Sequence, residues 1–122
     1  MYIDFTICSE ENNFETLKKS FPNANVLIKG TLLKSGKKIP YNEFNFIFEK
    51  DDCFYVDELI LSFKTYIKDK LSNLFDFIKL NKLESSLCIV ITGGIEQVAL
   101  FLSNESLLFL CEINSSIDFD FI

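Results

Sequence analysis

The sequence predicts an α+β domain: a mostly antiparallel sheet of about six strands with one long central helix and two shorter helices, in the order β-α-β-β-α-β-β-α-β. Three observations predict it. Apolar residues Val56, Leu59, Ile60, Phe63, Ile67, Leu71, Leu74, Phe75 and Ile78 recur at steps of three and four, which places them in one stripe of a helix over 56–80. Ile3, Phe5 and Ile7 alternate with polar neighbours, and so do Phe44, Phe46 and Phe48. Gly93-Gly94 separates two apolar runs, the pattern of a tight hairpin.

Taken in order, 2–8 reads as a strand with one buried face. Ser9 to Asn13 supplies polar capping residues and two glutamates for a helix that continues through Phe14, Leu17 and Phe21 and stops at Pro22-Asn23. A second strand is expected over 25–33, weakened by Gly30. Lys34-Ser35-Gly36-Lys37-Lys38 is a basic turn; it lacks the glycines and the Ser/Thr of a phosphate loop and reads as a solvated hairpin tip. The third strand, 43–49, puts three Phe on one face, and the helical stripe is the surface large enough to cover them. That helix, uninterrupted by Gly or Pro, would be about 35 Å long. A hairpin is expected from 87–92 and 95–102. Ser103 caps a last helix carrying Leu107, Leu108, Leu110 and Cys111, and 116–122 closes the chain as a strand alternating Ile117, Phe119 and Phe121 with Asp118 and Asp120.

The 122 residues, with 48% hydrophobic content and a mean hydropathy of +0.20, are enough for one domain, 1–122, with its own core. No segment has about 18 uninterrupted apolar residues, and Met1-Tyr2-Ile3-Asp4 has no basic stretch, so neither a membrane span nor a signal peptide is read here. A cytoplasmic setting with reduced thiols is expected. Cys8, Cys53, Cys88 and Cys111 form no C-x-x-C pair and read as small buried thiols.

Charge narrows the function. The net charge is −6, all 12 basic residues are Lys, and there is no His. Nucleic acid is a poor partner for such a surface, because phosphate binding rests on cationic side chains and base reading favours Arg. Without His, Ser-His and Cys-His nucleophilic catalysis is excluded, and no other catalytic, cofactor-binding or metal-binding motif is present, so no enzyme is expected. Asp118 and Asp120 project from one face of a strand, where they could act as acid and base or hold a divalent cation; solvent-facing alternation is the simpler explanation. The densest carboxylate group is Glu43, Glu49, Asp51, Asp52, Asp57 and Glu58, offset only by Lys50. Sharing an edge, these six would suit a basic protein partner and speed its association. Helix-dipole and loop solvation roles are the alternative for the same residues.

Ile89-Val90-Ile91-Thr92-Gly93-Gly94, the Ser-capped run 101–110, the closing Ile117-Asp118-Phe119-Asp120-Phe121 and the opening Tyr2-Ile3-Asp4-Phe5 together resemble the bacterial domain-of-unknown-function family 4279. The likeness spans roughly two thirds of the chain as a pattern of elements. Phe21-Pro22-Asn23 stands where that family has Gly-Pro, and Phe44 or Phe46 where it has Trp. The family carries no established catalytic residues, and its members look similar to immunity proteins made beside secreted bacterial toxins. The resemblance therefore implies an immunity protein that binds and neutralises a cognate toxin; the acidic charge adds that the toxin is basic, the N-terminus and thiols add a cytoplasmic setting, and no cofactor is expected. A non-catalytic homodimeric scaffold or adaptor, using an exposed apolar sheet face, is the alternative.

Overall fold

Alternation at the N-terminus sets the architecture. β1 (Tyr2–Ser9) buries Ile3, Phe5 and Ile7 completely and turns Tyr2, Asp4, Thr6 and Cys8 to the other side. It is the middle strand of a five-stranded sheet ordered β2-β3-β1-β4-β5 in the computed structural model, which describes residues 1–12, 14–70, 72–93 and 100–122. β3 (Asn42–Glu49) and β4 (Glu84–Ile91) flank β1, both antiparallel to it. β2 (Asn25–Leu27) pairs antiparallel with the outside of β3, and β5 (Ser116–Phe121) pairs parallel with the outside of β4.

The buried faces of these strands meet one layer of helices. α1 (Glu15–Ser20) contributes Leu17, α2 (Val56–Lys70) contributes Val56, Leu59, Ile60, Phe63 and Ile67, α3 (Leu74–Leu80) contributes Leu74 and Ile78, and α4 (Asn104–Ile113) contributes Phe109, Leu110 and Ile113. All join one core with Phe5, Phe44, Phe46, Leu87 and Ile89. Phe63 is its hub, with ring centroids 5.8 Å from Phe5, 5.7 Å from Phe48 and 6.2 Å from Phe109. Phe21 stacks on Phe46 at 4.8 Å. Each fully buried Phe contributes about 2–3 kcal/mol through burial alone, so this side holds most of the stabilisation. Every described helix packs on this side, which leaves the opposite sheet face without a helical layer among the described residues.

The α+β class and the largely antiparallel sheet agree with the sequence reading; four details differ. The expected single helix over 56–80 is two helices, with Ser72 and Asn73 in a turn between them. Ser and Asn side chains compete for backbone hydrogen bonds and favour a break, while Ile67 and Leu74, seven apart, keep the stripe facing the sheet across it. The second strand stops at Leu27; Gly30 follows with φ +88°, and Leu32 bridges only to Lys38 within the loop. The first helix starts at Glu15 rather than near Ser9, because Ser9 Oγ accepts from the Asn12 N–H at 2.9 Å and Asn12 Oδ1 from the Phe14 N–H at 2.8 Å, closing two local turns.

The fourth difference is the hairpin. β4 pairs with β1 over Glu84–Val90 and with β5 over Ser86–Ile91, so both of its edges are taken. Of the expected partner strand, 95–99 lie outside the described residues, and Leu100–Leu102 are irregular. The true neighbour of β4 comes after α4, which carries the chain back to begin a parallel strand. Five strands and four helices among the described residues thus replace the expected six and three. No described helix is long and apolar enough to cross a membrane.

Candidate functional site

The face of the sheet away from the helices is acidic. Register places Glu49, Tyr2, Val90 and Asp120 in one row across β3, β1, β4 and β5. The next row holds Ile47, Asp4, Cys88 and Asp118, and the row near the far end holds Glu43, Cys8 and Glu84. Six carboxylates therefore share this face, and none of the five strands contains a lysine. Asp4 and Asp118 are separated by one strand, about 10 Å, so their fields overlap at physiological salt.

Part of this surface is held in place. Asn45 Nδ2 donates to Asp4 Oδ1 and, at 2.9 Å, to Thr6 Oγ1, fixing the Asp4 carboxylate toward the middle of the face. Cys88 sits between Asp4 and Asp118. Its thiol is pushed up from the ordinary cysteine range by burial and then by Asp120, Asp4 and Asp118, so it stays protonated at neutral pH. Cys8 is likewise raised, by burial and Glu43, against a hydrogen bond from Tyr41. Neither is an activated nucleophile.

The six carboxylates singled out from the sequence are divided by the fold. Glu43 and Glu49 stand on the acidic face at opposite ends of β3, about 20 Å apart. Asp51 and Asp52 are exposed in the turn after β3, with Asp52 at φ +57°. Glu58 pairs with Lys50, Nζ to Oε1 at 2.9 Å, and Lys50 also donates to Ser62 Oγ at 3.0 Å. Asp57 is a joint between helices: its Oδ1 accepts the Ser103 N–H at 2.7 Å and the Ser106 hydroxyl at 2.5 Å. Ser103 is the cap of α4, its Oγ accepting the Ser106 N–H at 3.2 Å, so the Asp57 carboxylate lies at the positive ends of two helices.

Asp118 and Asp120 do point side by side to the open face, as their alternation predicts. Among the described residues no three carboxylates or thiols converge as cation ligands. The thiols depart from expectation. Cys8, Cys53 and Cys88 are partly exposed and Cys111 is exposed; for Cys8, Cys88 and Cys111 the buried positions of their strands and helix belong to the neighbouring Ile, Leu and Phe residues, and Cys53 lies in the connection between β3 and α2.

Of the concavities among the described residues, one adjoins the acidic face and another lies apart from it. One of 640 Å³ is rimmed by Cys8, Glu10, Glu11, Tyr41, Lys82 and Glu84 at one end of the sheet. The other, 530 Å³, is a shallow apolar groove between Tyr55, Leu61, Thr65 and Phe101. The first brings a thiol, carboxylates and Lys82 to one rim, but its thiol, Cys8, is raised rather than activated. Sequence reasoning passed over Asp4 and Glu84 as members of a common surface. The available signal was parity: Asp4, Glu43, Glu49 and Glu84 fall on the side opposite their strands' buried Ile, Leu and Phe, and Asp118 and Asp120 on the side opposite Ile117, Phe119 and Phe121. No family model, curated protein or solved structure matches this chain.

Proposed function

We propose that this chain is a cytoplasmic immunity protein: a binding protein without chemistry of its own that captures a basic protein toxin on the acidic face of its sheet. The observation that carries it is that face, with Asp4, Glu43, Glu49, Glu84, Asp118 and Asp120 and no lysine among its strands. Placing like charges together costs stability through self-repulsion, and folding does not call for it, since Ser, Thr or Asn would alternate with the core residues as well. A cationic cleft on a partner would relieve that repulsion and be drawn in from a distance. The pattern of elements read from the sequence as resembling immunity-protein-like domains points the same way, and with no His in the chain a His-based catalytic set is not part of it. The homodimeric alternative is less favoured by this surface, because a second copy laid on the face would oppose carboxylate to carboxylate.

The test is co-purification with the product of the adjacent gene, followed by calorimetry at low and high salt. A one-to-one complex that associates more slowly at high salt is expected. The triple variant Asp4→Lys/Asp118→Lys/Asp120→Lys should remain folded and lose protection of cells that make the toxin. Full protection by that folded variant would refute the acidic-face mechanism.

A further inference from the structure

We infer that the outer edge of β5 is a docking strand that takes a β-strand of the partner protein, one in which Lys or Arg alternates with apolar residues. The inference rests on the proposal above that the partner is a basic protein, and it names the backbone contact.

The two edges of the sheet differ. β2 is three residues long and gives way directly to a loop. β5 runs six residues, about 20 Å, with no Pro and no Lys to blunt it. The Ile122 N–H donates to the Ile91 carbonyl at 3.0 Å, so by alternation the backbone groups of Asp118 and Asp120 also face β4. Those of Ile117, Phe119 and Phe121 face outward, and among the described residues nothing pairs with them. A row of unpaired N–H and C=O groups is a template for another strand.

Side chains along this edge specify the occupant. On the helix side, Phe119 and Phe121 are each 43% exposed, so an added strand would cover apolar surface with its own apolar residues. On the open side, Asp118 and Asp120 would lie beside the alternate residues of that strand. Cations there gain cross-strand pairing, whereas carboxylates are repelled. A second copy of this chain is selected against for that reason. Any antiparallel β5–β5 register that keeps the Phe residues on the helix side brings the Asp118/Asp120 pairs together on the other. The occupant is therefore a foreign strand of opposite charge.

The probe is a heptapeptide of alternating Lys and Val, N-methylated along one edge so that it cannot form fibrils, titrated into the full chain by heteronuclear NMR with hydrogen exchange. Binding should slow exchange of the Ile117, Phe119 and Phe121 amides. A peptide methylated on both edges should bind about tenfold more weakly or not at all, through loss of the ladder bonds. Phe119→Pro, which removes an outward N–H while leaving the β4 ladder intact, should have the same effect. Equal binding by the doubly methylated peptide, or unchanged exchange at the three amides in the complex, would overturn the inference. So would a homodimer of the free protein with those amides already protected. Toxin capture that survives Phe119→Pro would remove the edge and spare the immunity reading; peptide addition without toxin capture would remove the immunity reading and spare the edge.

Discussion

Replacing Asp57 with alanine should destabilise the protein although the side chain sits at a helix terminus among polar neighbours. The carboxylate accepts from the Ser103 N–H and from the hydroxyl of Ser106, which has no exposed surface. Hydrogen bonds to a charged group contribute about 1.5–3 kcal/mol each; with the Asp57 carboxylate itself only part-buried, we take the low end and expect a loss of about 2–4 kcal/mol. For a domain of this size that lowers the melting temperature by about 8–15 °C. Asp57→Asn keeps the Oδ1 acceptor and loses only the charge at two helix N-termini, about 1 kcal/mol. The pH dependence separates the two effects. Burial pushes the Asp57 carboxyl up, but hydrogen bonds from Ser106 and Ser103 outweigh it and hold the pKa below the ordinary carboxylate value. The unfolded chain thus takes up this proton first. The stabilisation is complete above the unfolded pKa of about 3.9 and is lost as pH falls through the lower folded value. Thermal melts of the parent protein and the two variants, followed by circular dichroism from neutral to acid pH, test this. The gap between the parent protein and Asp57→Asn should close on acidification. An alanine variant that melts like the asparagine one would refute the two-bond joint, and a gap unchanged by acid would refute the role of the charge.

Two further outcomes concern Asn42 and Cys88. Asn42, 7% exposed, accepts the Lys29 N–H at 2.7 Å and donates to the Asn12 carbonyl at 3.1 Å. Asn42→Ala should cost about 1–3 kcal/mol in urea unfolding and speed hydrogen exchange at the Lys29 amide. Cys88, held protonated by burial and by Asp120, Asp4 and Asp118, should alkylate with iodoacetamide more slowly than exposed Cys111 at mildly alkaline pH, and Asp118→Asn/Asp120→Asn should speed its labelling by lowering the thiol pKa; mass-mapped time courses decide both.

The strands and helices were legible where one period dominated. Ile3-Phe5-Ile7 and Phe44-Phe46-Phe48 gave faces, and the stripe from Val56 to Ile78 gave the helical layer. Ser103 was identifiable as a cap because a hydroxyl before an apolar-periodic run can accept a first-turn N–H, although the same signal at Ser9 closes a local turn instead. Pairing was not legible. Gly93-Gly94 signals a turn, but a turn does not say which strand receives the next segment, and β4 takes β1 and β5 instead. The carboxylate group at 43–58 was dense in sequence yet was divided, because local density ignores which side of a strand each residue faces. Asp57 was legible as a first-turn carboxylate, while its bond to Ser106, 49 positions away, depends on the packing of α2 against α4.

The sign of the charge on β5 bears on whether the open face is used or merely soluble. Edge strands are commonly protected from self-association by charge, most often by lysine. This chain has 12 lysines and puts none of them in a strand; its edge carries Asp118 and Asp120, and the rows behind them carry Asp4, Glu43, Glu49 and Glu84. Protection alone would be served by either sign, or by a mixture that avoids repulsion across the rows. A face of one sign, continuous with an unpaired edge, repels its own copy and attracts a cationic strand with the same groups. Substituting lysine at positions 118 and 120 retains charge at the edge and reverses its sign, and lysine at position 4 does the same in the row behind it while giving up the bond from Asn45. Protection that vanishes in that folded, monomeric variant would assign the carboxylates to recognition rather than solubility.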